Sequence, residues 1–357
     1  MKNQIVATSP FSYEDKILHH IPFPNNMGMV RYGLAFAVVV AHFNALTGSS
    51  IYFPLSSYAA VGGFFALSGF LMYPSYFKRQ DLKKYVNARA RRILPAYFLT
   101  VVVAAILLCF LSTLSAWEYF SSPGFWKYLG ANLSFLNFLD PVLPGVFSGN
   151  VMPEVNASLW TMKVEWSLYL SLPLVFYFMN RFRGKHILWF LGIMLFAIMY
   201  RFFFSYLYLS SGKPIYKILE RQFFGQCFYF YFGSFLYYLL PLFIKYKWPI
   251  FFCTLLLQVI SGMIPYFYSS ILVQPVVVSV MVIWFSIVGR WGTWEGKYDN
   301  LSYNIYLCHF PIIQSFITLG GGKITDPIVE IVICSFIIVG VSIMLMLAEK
   351  GVRRVWK

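Results

Sequence analysis

A cation and an imidazole share one apolar stretch near the start of the chain. Arg31 and His42 are separated by ten residues within the run 27–46. Eleven steps of about 100° return a helix to nearly the same face, about 16 Å further along its axis. The spacing therefore predicts one helical stripe with a cation near one membrane surface and a possible general base deeper in. The alternative is that Arg31 snorkels to headgroups while His42 makes a structural hydrogen bond.

Two further arginines have the spacing of a phosphate-binding pair. Arg89 and Arg92 are three residues apart, so they share a face if this segment is helical. The guanidinium fork suits phosphate or pyrophosphate, so these two residues are candidates to bind a nucleotide-like donor. Anionic lipid headgroups are the alternative ligand, and we assign Arg91 and Lys84 to them.

A carboxylate begins another apolar run on the side toward which His42 points. We expect Glu165 to orient the His42 imidazole and raise its basicity. The alternative is that Glu165 favours the positive end of its helix or pairs with Lys163. Trp160 lies just before it in an outer segment, 116–163, that is rich in aromatic residues. Such residues could stack on a sugar or form an interfacial belt.

Three more side chains are candidates for contact with a substrate. Ser68 lies in a glycine-rich run where a ligand or another helix could approach closely, so helix packing is the alternative. Tyr306 and His309 lie in a later apolar run, where a hydrogen bond within the bundle is the alternative for His309. Together with Trp160, these residues form the predicted substrate-binding site. No His–carboxylate pair or cysteine pair has metal-ligand spacing, so we expect no metal.

Composition sets the kind of element that must position these residues. The chain of 357 residues is 59% hydrophobic, 21% aromatic and 11% charged. Soluble domains carry about 25% charged residues, so the bilayer must be the solvent. The net charge of +15 comes from basic residues between apolar runs, which indicates topology and anionic headgroups rather than nucleic acid. We therefore expect membrane lipids and no nucleic acid as partners, and the oligomeric state is left open.

An all-α, polytopic membrane bundle is the predicted fold. Since a helix needs about 20 apolar residues to cross the hydrocarbon core, ten runs qualify. These predicted spans are 27–46, 58–75, 94–115, 165–180, 187–208, 223–243, 248–268, 271–289, 301–319 and 328–348.

The connections between the runs predict the orientation and the domain organisation. Most basic residues lie in connections that share one side, which places both termini in the cytoplasm. We predict a cytoplasmic N-terminal segment (1–26), a transmembrane domain (27–348) with the long outer segment about 116–163, and a cytoplasmic tail (349–357). The polar start does not have the pattern of a cleavable signal peptide.

Five segments, in this order along the chain, resemble the motifs of the acyltransferase 3 family of integral membrane acyltransferases. Each is weak alone, but together they span nearly the whole sequence. They are Arg31 with ten residues before His42, Phe64-Phe-Ala-Leu-Ser-Gly-Phe70, Arg89-Ala-Arg-Arg92 before Pro95, Leu159-Trp-Thr-Met-Lys-Val-Glu165, and Ser302-Tyr-Asn-Ile-Tyr-Leu-Cys-His-Phe-Pro311.

The resemblance implies a fold, a reaction and a set of roles. It implies ten spans and transfer of an acyl group, usually acetyl from acetyl-CoA, to a sugar hydroxyl. It makes Arg31 and His42 the essential pair and places Arg89 and Arg92 near a cytoplasmic donor. We thus expect a membrane-bound O-acyltransferase of cell-envelope or secreted carbohydrate in a bacterial inner membrane. The alternative is a transporter or flippase of a lipid-linked sugar, which inverted repeats and paired broken helices would favour.

Overall fold

The computed structural model describes residues 19–22, 24–79, 81–181, 186–288, 300–322 and 326–355. Within these ranges the regular structure is helical and contains no strand, which confirms the all-α prediction. Most of the predicted N-terminal segment (1–26) lies outside the described residues. So do several basic connections, at 182–185 and 289–299. The orientation of the termini and the domain bounds stay predictions.

Fifteen α-helices follow one another in the described part of the chain, with a π-helical turn, Ser269–Val273, joining α12 to α13. In chain order they are α1 Met27–Thr47, α2 Ser57–Arg79, α3 Leu82–Leu107, α4 Ala116–Ser121, α5 Pro123–Leu133, α6 Trp160–Arg181, α7 His186–Ser211, α8 Pro214–Glu220, α9 Phe223–Tyr238, α10 Leu240–Lys245, α11 Lys247–Met263, α12 Tyr266–Tyr268, α13 Gln274–Ile287, α14 Leu301–Thr318 and α15 Pro327–Val355.

Five helical segments of the described chain are long and apolar enough to cross a membrane. They are Met27–Thr47, Leu82–Leu111, His186–Ser211, Tyr266–Ile287 and Pro327–Arg353. The other five predicted runs also coincide with helices, but these are shorter or richer in polar residues. For example, α9 has 16 residues and α11 has 17. The prediction of a membrane-spanning helical protein is confirmed, while the count of ten spans stays a prediction.

The apolar run predicted as the third span starts later than the helix that contains it. Its apolar run starts at residue 94, whereas α3 begins at Leu82. The lysines and arginines that precede the apolar run are good helix formers, so the helix extends through them. Arg89 and Arg92 therefore lie on a helix, where three-residue spacing does put them on one face.

The chain divides into two compact units. Unit 1 comprises residues 1–26, 65–82 and 172–291, and unit 2 comprises residues 27–64, 83–171 and 292–357. Helices α7 to α13 lie in unit 1, whereas α1, α14 and α15 lie in unit 2.

Two glycines bring α2 and α9 into close contact within unit 1. A Cβ atom on Gly69 would lie 1.8 Å from the Phe230 carbonyl oxygen, and one on Gly233 would lie 1.9 Å from that of Ala66. The Ser234 hydroxyl also donates to the Gly69 carbonyl at 3.0 Å. Small residues that admit a neighbouring backbone are typical of membrane helix interfaces. Helix packing therefore accounts for Gly69 in the glycine-rich run.

We expect Gly69→Ala to destabilise unit 1 because the added methyl group forces the two helices apart. Overpacking of this kind costs about 1–3 kcal/mol or more. Gly192→Ala is the matched control, since α7 has nothing within 4 Å of the added Cβ. The free energy of unfolding, measured by SDS titration from mixed micelles, should fall for Gly69→Ala only. Equal stability of the two variants would contradict the close packing.

Unit 1 also contains a buried ion pair that the sequence analysis did not single out. Arg201 on α7 and Glu220 on α8 are 1% and 2% exposed, with Nε and Oε1 3.5 Å apart. Arg201 Nη2 donates to the Ser270 carbonyl at 2.8 Å, and Lys217 Nζ lies 2.7 Å from Glu220 Oε2. These contacts join α7, α8 and the π-helical turn.

The core of unit 2 is formed by α1, α14 and α15. Residues 35, 39, 43 and 46 of α1 follow the three- and four-residue spacing of one helix face and are all buried. They pack with residues of α14 such as Ile313 and with residues of α15 such as Ile338. This packing fixes the register of α1 against α14, and with it the position of the histidines that both helices carry.

Candidate functional site

Two histidines from distant parts of the sequence meet inside unit 2. His42 Nδ1 on α1 lies 2.8 Å from His309 Nε2 on α14. The ring planes differ by only 12° and the ring centroids are 5.0 Å apart. The centroids are thus further apart than the nitrogens by about two ring radii, so the rings lie edge to edge, nearly coplanar. This arrangement is a direct hydrogen bond between the two imidazoles rather than a face-to-face stack.

Both rings are held by further contacts. His309 is fully buried, and its Nδ1 lies 2.8 Å from the Tyr306 carbonyl oxygen one turn back on α14. His42 is half-buried and packs edge-on against the Phe310 ring, with centroids 5.1 Å apart. The Tyr306 carbonyl therefore holds the His309 ring, and the Phe310 ring packs against the His42 ring.

A proline two residues after His309 leaves one backbone carbonyl of α14 without its helical donor, and a side chain of segment 116–163 donates to it instead. Pro311 has no N–H, so the Leu307 carbonyl loses its helical partner. Asn156 Nδ2 donates to this carbonyl at 2.7 Å. Asn156 is itself buried, and a buried backbone carbonyl without a hydrogen bond would cost free energy. The outer segment is thereby attached to the turn of α14 that carries His309.

The same segment has a second attachment about two turns further along α14. Gln314 Nε2 donates to the Met152 carbonyl at 2.7 Å and to the Glu154 carbonyl at 3.0 Å. Asn150 Nδ2 in turn donates to Gln314 Oε1 at 2.9 Å. Residues 150–156 are consequently bound to α14 at two positions, Leu307 and Gln314, that flank His309 in the sequence.

Two of the predicted acceptor contacts lie where this segment enters α6. The Tyr306 hydroxyl is 2.8 Å from the Thr161 hydroxyl, and its buried ring packs against Phe64. Trp160 is the first residue of α6 and is half-buried. The hydroxyl of Tyr306 thus supports the start of α6, and contact of either residue with an acceptor stays a prediction.

Glu165 lies on α6 in the same unit as the histidines. Its carboxylate accepts a hydrogen bond from the Tyr169 hydroxyl one turn further along the helix. The side chain that contacts His42 Nδ1 is His309 rather than this carboxylate. Orientation of His42 by Glu165 stays a prediction.

The predicted cations of the site also lie in unit 2. Arg31 is half-buried on α1, the helix that carries His42, as the sequence spacing predicts. On α3, Arg89 and Arg92 are half-buried whereas Arg91 is exposed. The assignment of Arg89 and Arg92 to phosphate and of Arg91 to lipid stays a prediction.

The C-terminal helix supports the arginine-bearing turn of α3. Arg353 Nη2 donates to the Arg92 carbonyl at 2.9 Å and also pairs with the Glu349 carboxylate. Glu349 is 2% exposed and accepts from Asn300 Nδ2 at 2.9 Å. The backbone at Arg92 is therefore tied to α15.

The structure brings together His42, His309 and the Tyr306 backbone, and it places the remaining site residues of unit 2 on neighbouring elements. Ser68 belongs to unit 1 and is half-buried on α2. The sequence analysis did not assign a role to Asn156 or Gln314, although a proline four residues after Leu307 signals a carbonyl in need of a donor. In the described part of the chain, no group of three or more His, Cys, Asp or Glu side chains could hold a metal ion.

Comparison with known proteins gives one family match and one curated relative. The family model of an acyltransferase domain matches residues 25–347. Nodulation protein 10 of Rhizobium leguminosarum bv. viciae is 26% identical over 170 residues, covering 44% of this chain and 46% of that protein. The chain thus spans about half the length of this relative. No solved structure matches significantly.

Proposed function

The chain belongs to the acyltransferase 3 family, and from this premise we propose that it transfers acetyl from acetyl-CoA to a hydroxyl of a cell-envelope or secreted carbohydrate. The observation that carries the proposal is the His42–His309 pair, held beside the outer segment by Asn156. Imidazole is the side chain whose ordinary pKa lies closest to neutral pH, so it is well suited to accepting the proton of a hydroxyl group.

The reaction needs one proton transfer and one acyl transfer. The His42 imidazole takes the proton of the acceptor hydroxyl as the oxygen bonds to the acyl carbon. The bond from that carbon to sulphur breaks, and the CoA thiolate leaves with the electron pair and recovers the proton. In a second route His42 first accepts the acyl group and then passes it to the hydroxyl. Both routes require the same imidazole.

The arginines supply the donor site in this proposal. Arg89 and Arg92 are half-buried on one face of α3 and bind the phosphates of acetyl-CoA from the cytoplasm. Arg31, on the same stripe of α1 as His42, adds positive charge on the donor side. The tie from Arg353 to the Arg92 carbonyl keeps this turn of α3 in place.

Acceptor binding is proposed for the outer side. The acceptor sugar contacts Trp160 and Tyr306, which both belong to unit 2, and Glu165 tunes the charge around the imidazole. Ten spans in a bacterial inner membrane, with both termini cytoplasmic, would let donor and acceptor enter from opposite faces. The alternative of a lipid-linked sugar transporter has no support from the family match or from the matched relative.

Labelled acetyl transfer in inverted membrane vesicles tests the proposal. We expect label from acetyl-CoA in envelope carbohydrate, and an increase of at least about tenfold in the KM for acetyl-CoA when Arg89 and Arg92 are both changed to Gln, since each loses a charge-assisted hydrogen bond. Arg91→Gln is the matched control, because Arg91 is exposed on the same helix.

Two outcomes would count against the proposal. If the wild-type protein transfers label only from a longer acyl-CoA, acetyl is the wrong group. If Arg91→Gln raises the KM as much as the double change does, the arginines act through general surface charge rather than as a binding pair.

A further inference from the structure

We propose that His309 is a positioning residue that holds His42 in the tautomer protonated on Nδ1, so that Nε2 is the nitrogen that reacts. The inference rests on the proposed function, which gives His42 the proton transfer. It also gives His309 a task other than contact with the acceptor. It follows from three groups that are hydrogen-bonded in series: the Tyr306 carbonyl, the His309 ring and the His42 ring through its Nδ1.

The series fixes the tautomer of His309 first. A carbonyl oxygen can only accept, so His309 Nδ1, 2.8 Å from the Tyr306 oxygen, must carry a hydrogen. His309 is fully buried on an apolar helix, where a charged ring would be expensive, so the ring is neutral and has one N–H. Its Nε2 therefore has a lone pair and no hydrogen.

The tautomer of His42 follows from that of His309. Because His309 Nε2 can only accept, the hydrogen between the rings belongs to His42 Nδ1. The neutral His42 ring then has its lone pair on Nε2. The near-coplanar arrangement aligns this hydrogen bond, and the edge contact with Phe310 opposes rotation of the His42 ring.

The pair also provides for the charge that forms during transfer. When Nε2 takes the hydroxyl proton, the His42 imidazolium keeps its Nδ1–H directed at the His309 lone pair. A hydrogen bond to the charged form stabilises it. The Asn156 bond to the Leu307 carbonyl holds the turn of α14 that carries His309. His309 consequently acts on the reaction through the basicity and direction of His42.

Three variants test this role by steady-state kinetics with labelled acetyl-CoA in vesicles. We expect His309→Leu to lower kcat by about 10–100-fold, the usual effect of removing a residue that orients a functional histidine through a hydrogen bond. The KM for acetyl-CoA should stay within about twofold of the wild-type value. His309→Gln should recover most of the rate, because its amide oxygen can accept from His42 Nδ1. Leu345→Ala removes packing from the α15 side of the same core, and should lower stability without changing kcat.

The tautomer itself is measured by ¹⁵N NMR of histidine-labelled protein, with His42 signals assigned by their loss in His42→Gln. We expect a protonated Nδ1 and an unprotonated Nε2 in the wild type, and mixed or reversed protonation in His309→Leu. A protonated Nε2 in the wild type, or full kcat in His309→Leu, would overturn the inference. The NMR result does not depend on turnover, so failure of the proposed reaction is seen separately, as absence of label in the wild type.

Discussion

Replacing His42 with alanine should reduce acyl transfer by about 10²–10⁴-fold, the contribution typical of a general base. His42 is the more exposed ring of the His42–His309 pair, so it is the one that a substrate can reach. Alanine leaves α1 intact because it is the best helix former, and the buried α1 residues of the unit 2 core are unchanged. Initial rates of label incorporation at matched expression are the measurement, with thermal stability recorded in parallel.

The control for this experiment is another histidine of the same chain. His20 is exposed, and its ring bonds only locally to the Ile21 carbonyl. His20→Ala should keep the wild-type rate. Equal rates for His42→Ala and the wild type would reject both the general-base and the covalent route. A lost rate together with lost stability would instead point to a role of the histidine pair in folding.

The helices that carry the site were predictable because a helix that crosses a membrane needs a long apolar run in the sequence. The bounds of α1 differ from the predicted run by one residue, and Arg31 and His42 lie on that helix as their spacing requires. The start of α3 was predicted less well, since the basic residues before its apolar run continue the helix. Hydropathy marks where a chain enters lipid but not where a helix begins in the headgroup region.

The contacts that make the site were not predictable from local patterns. His42 and His309 are separated by 267 positions, and only the packing of α1 on α14 decides that their rings meet. The sequence suggested Glu165 as the residue that orients His42, and that role stays a prediction beside the contact with His309. Asn156 was equally hidden, because its function depends on a carbonyl that Pro311 leaves without a helical donor.

The ion pair of Arg201 and Glu220 raises a different question, because an ionisable residue inside a membrane helix is by default a candidate for function. Its environment favours a structural role. Both side chains are almost fully buried, and Arg201 also binds the Ser270 carbonyl, so the pair fastens α8 and the π-helical turn to α7. At Gly225, a Cβ atom would lie 1.7 Å from the Glu220 carbonyl oxygen, which shows how closely α9 approaches this corner.

Breaking the pair on one side should therefore be among the most destabilising changes in the protein. Glu220→Gln leaves the Arg201 charge buried without its carboxylate, and we expect a loss of about 3–5 kcal/mol in the free energy of unfolding by SDS titration. Removing both charges, in Arg201→Met with Glu220→Met, should cost clearly less, because no buried charge is left behind. Lys217→Met is the matched control: this lysine contacts the same carboxylate but its side chain is 38% exposed, so its loss should cost about 1 kcal/mol or less.

The double variant separates structure from function in unit 1. If the pair only fastens helices, Arg201→Met with Glu220→Met should recover both stability and acyl transfer relative to Glu220→Gln. Recovered stability with no recovery of transfer would show instead that one of these charges takes part in the reaction. A purely additive loss in the double variant would contradict the pairing itself, since two side chains that share one buried interaction must show non-additive free energies.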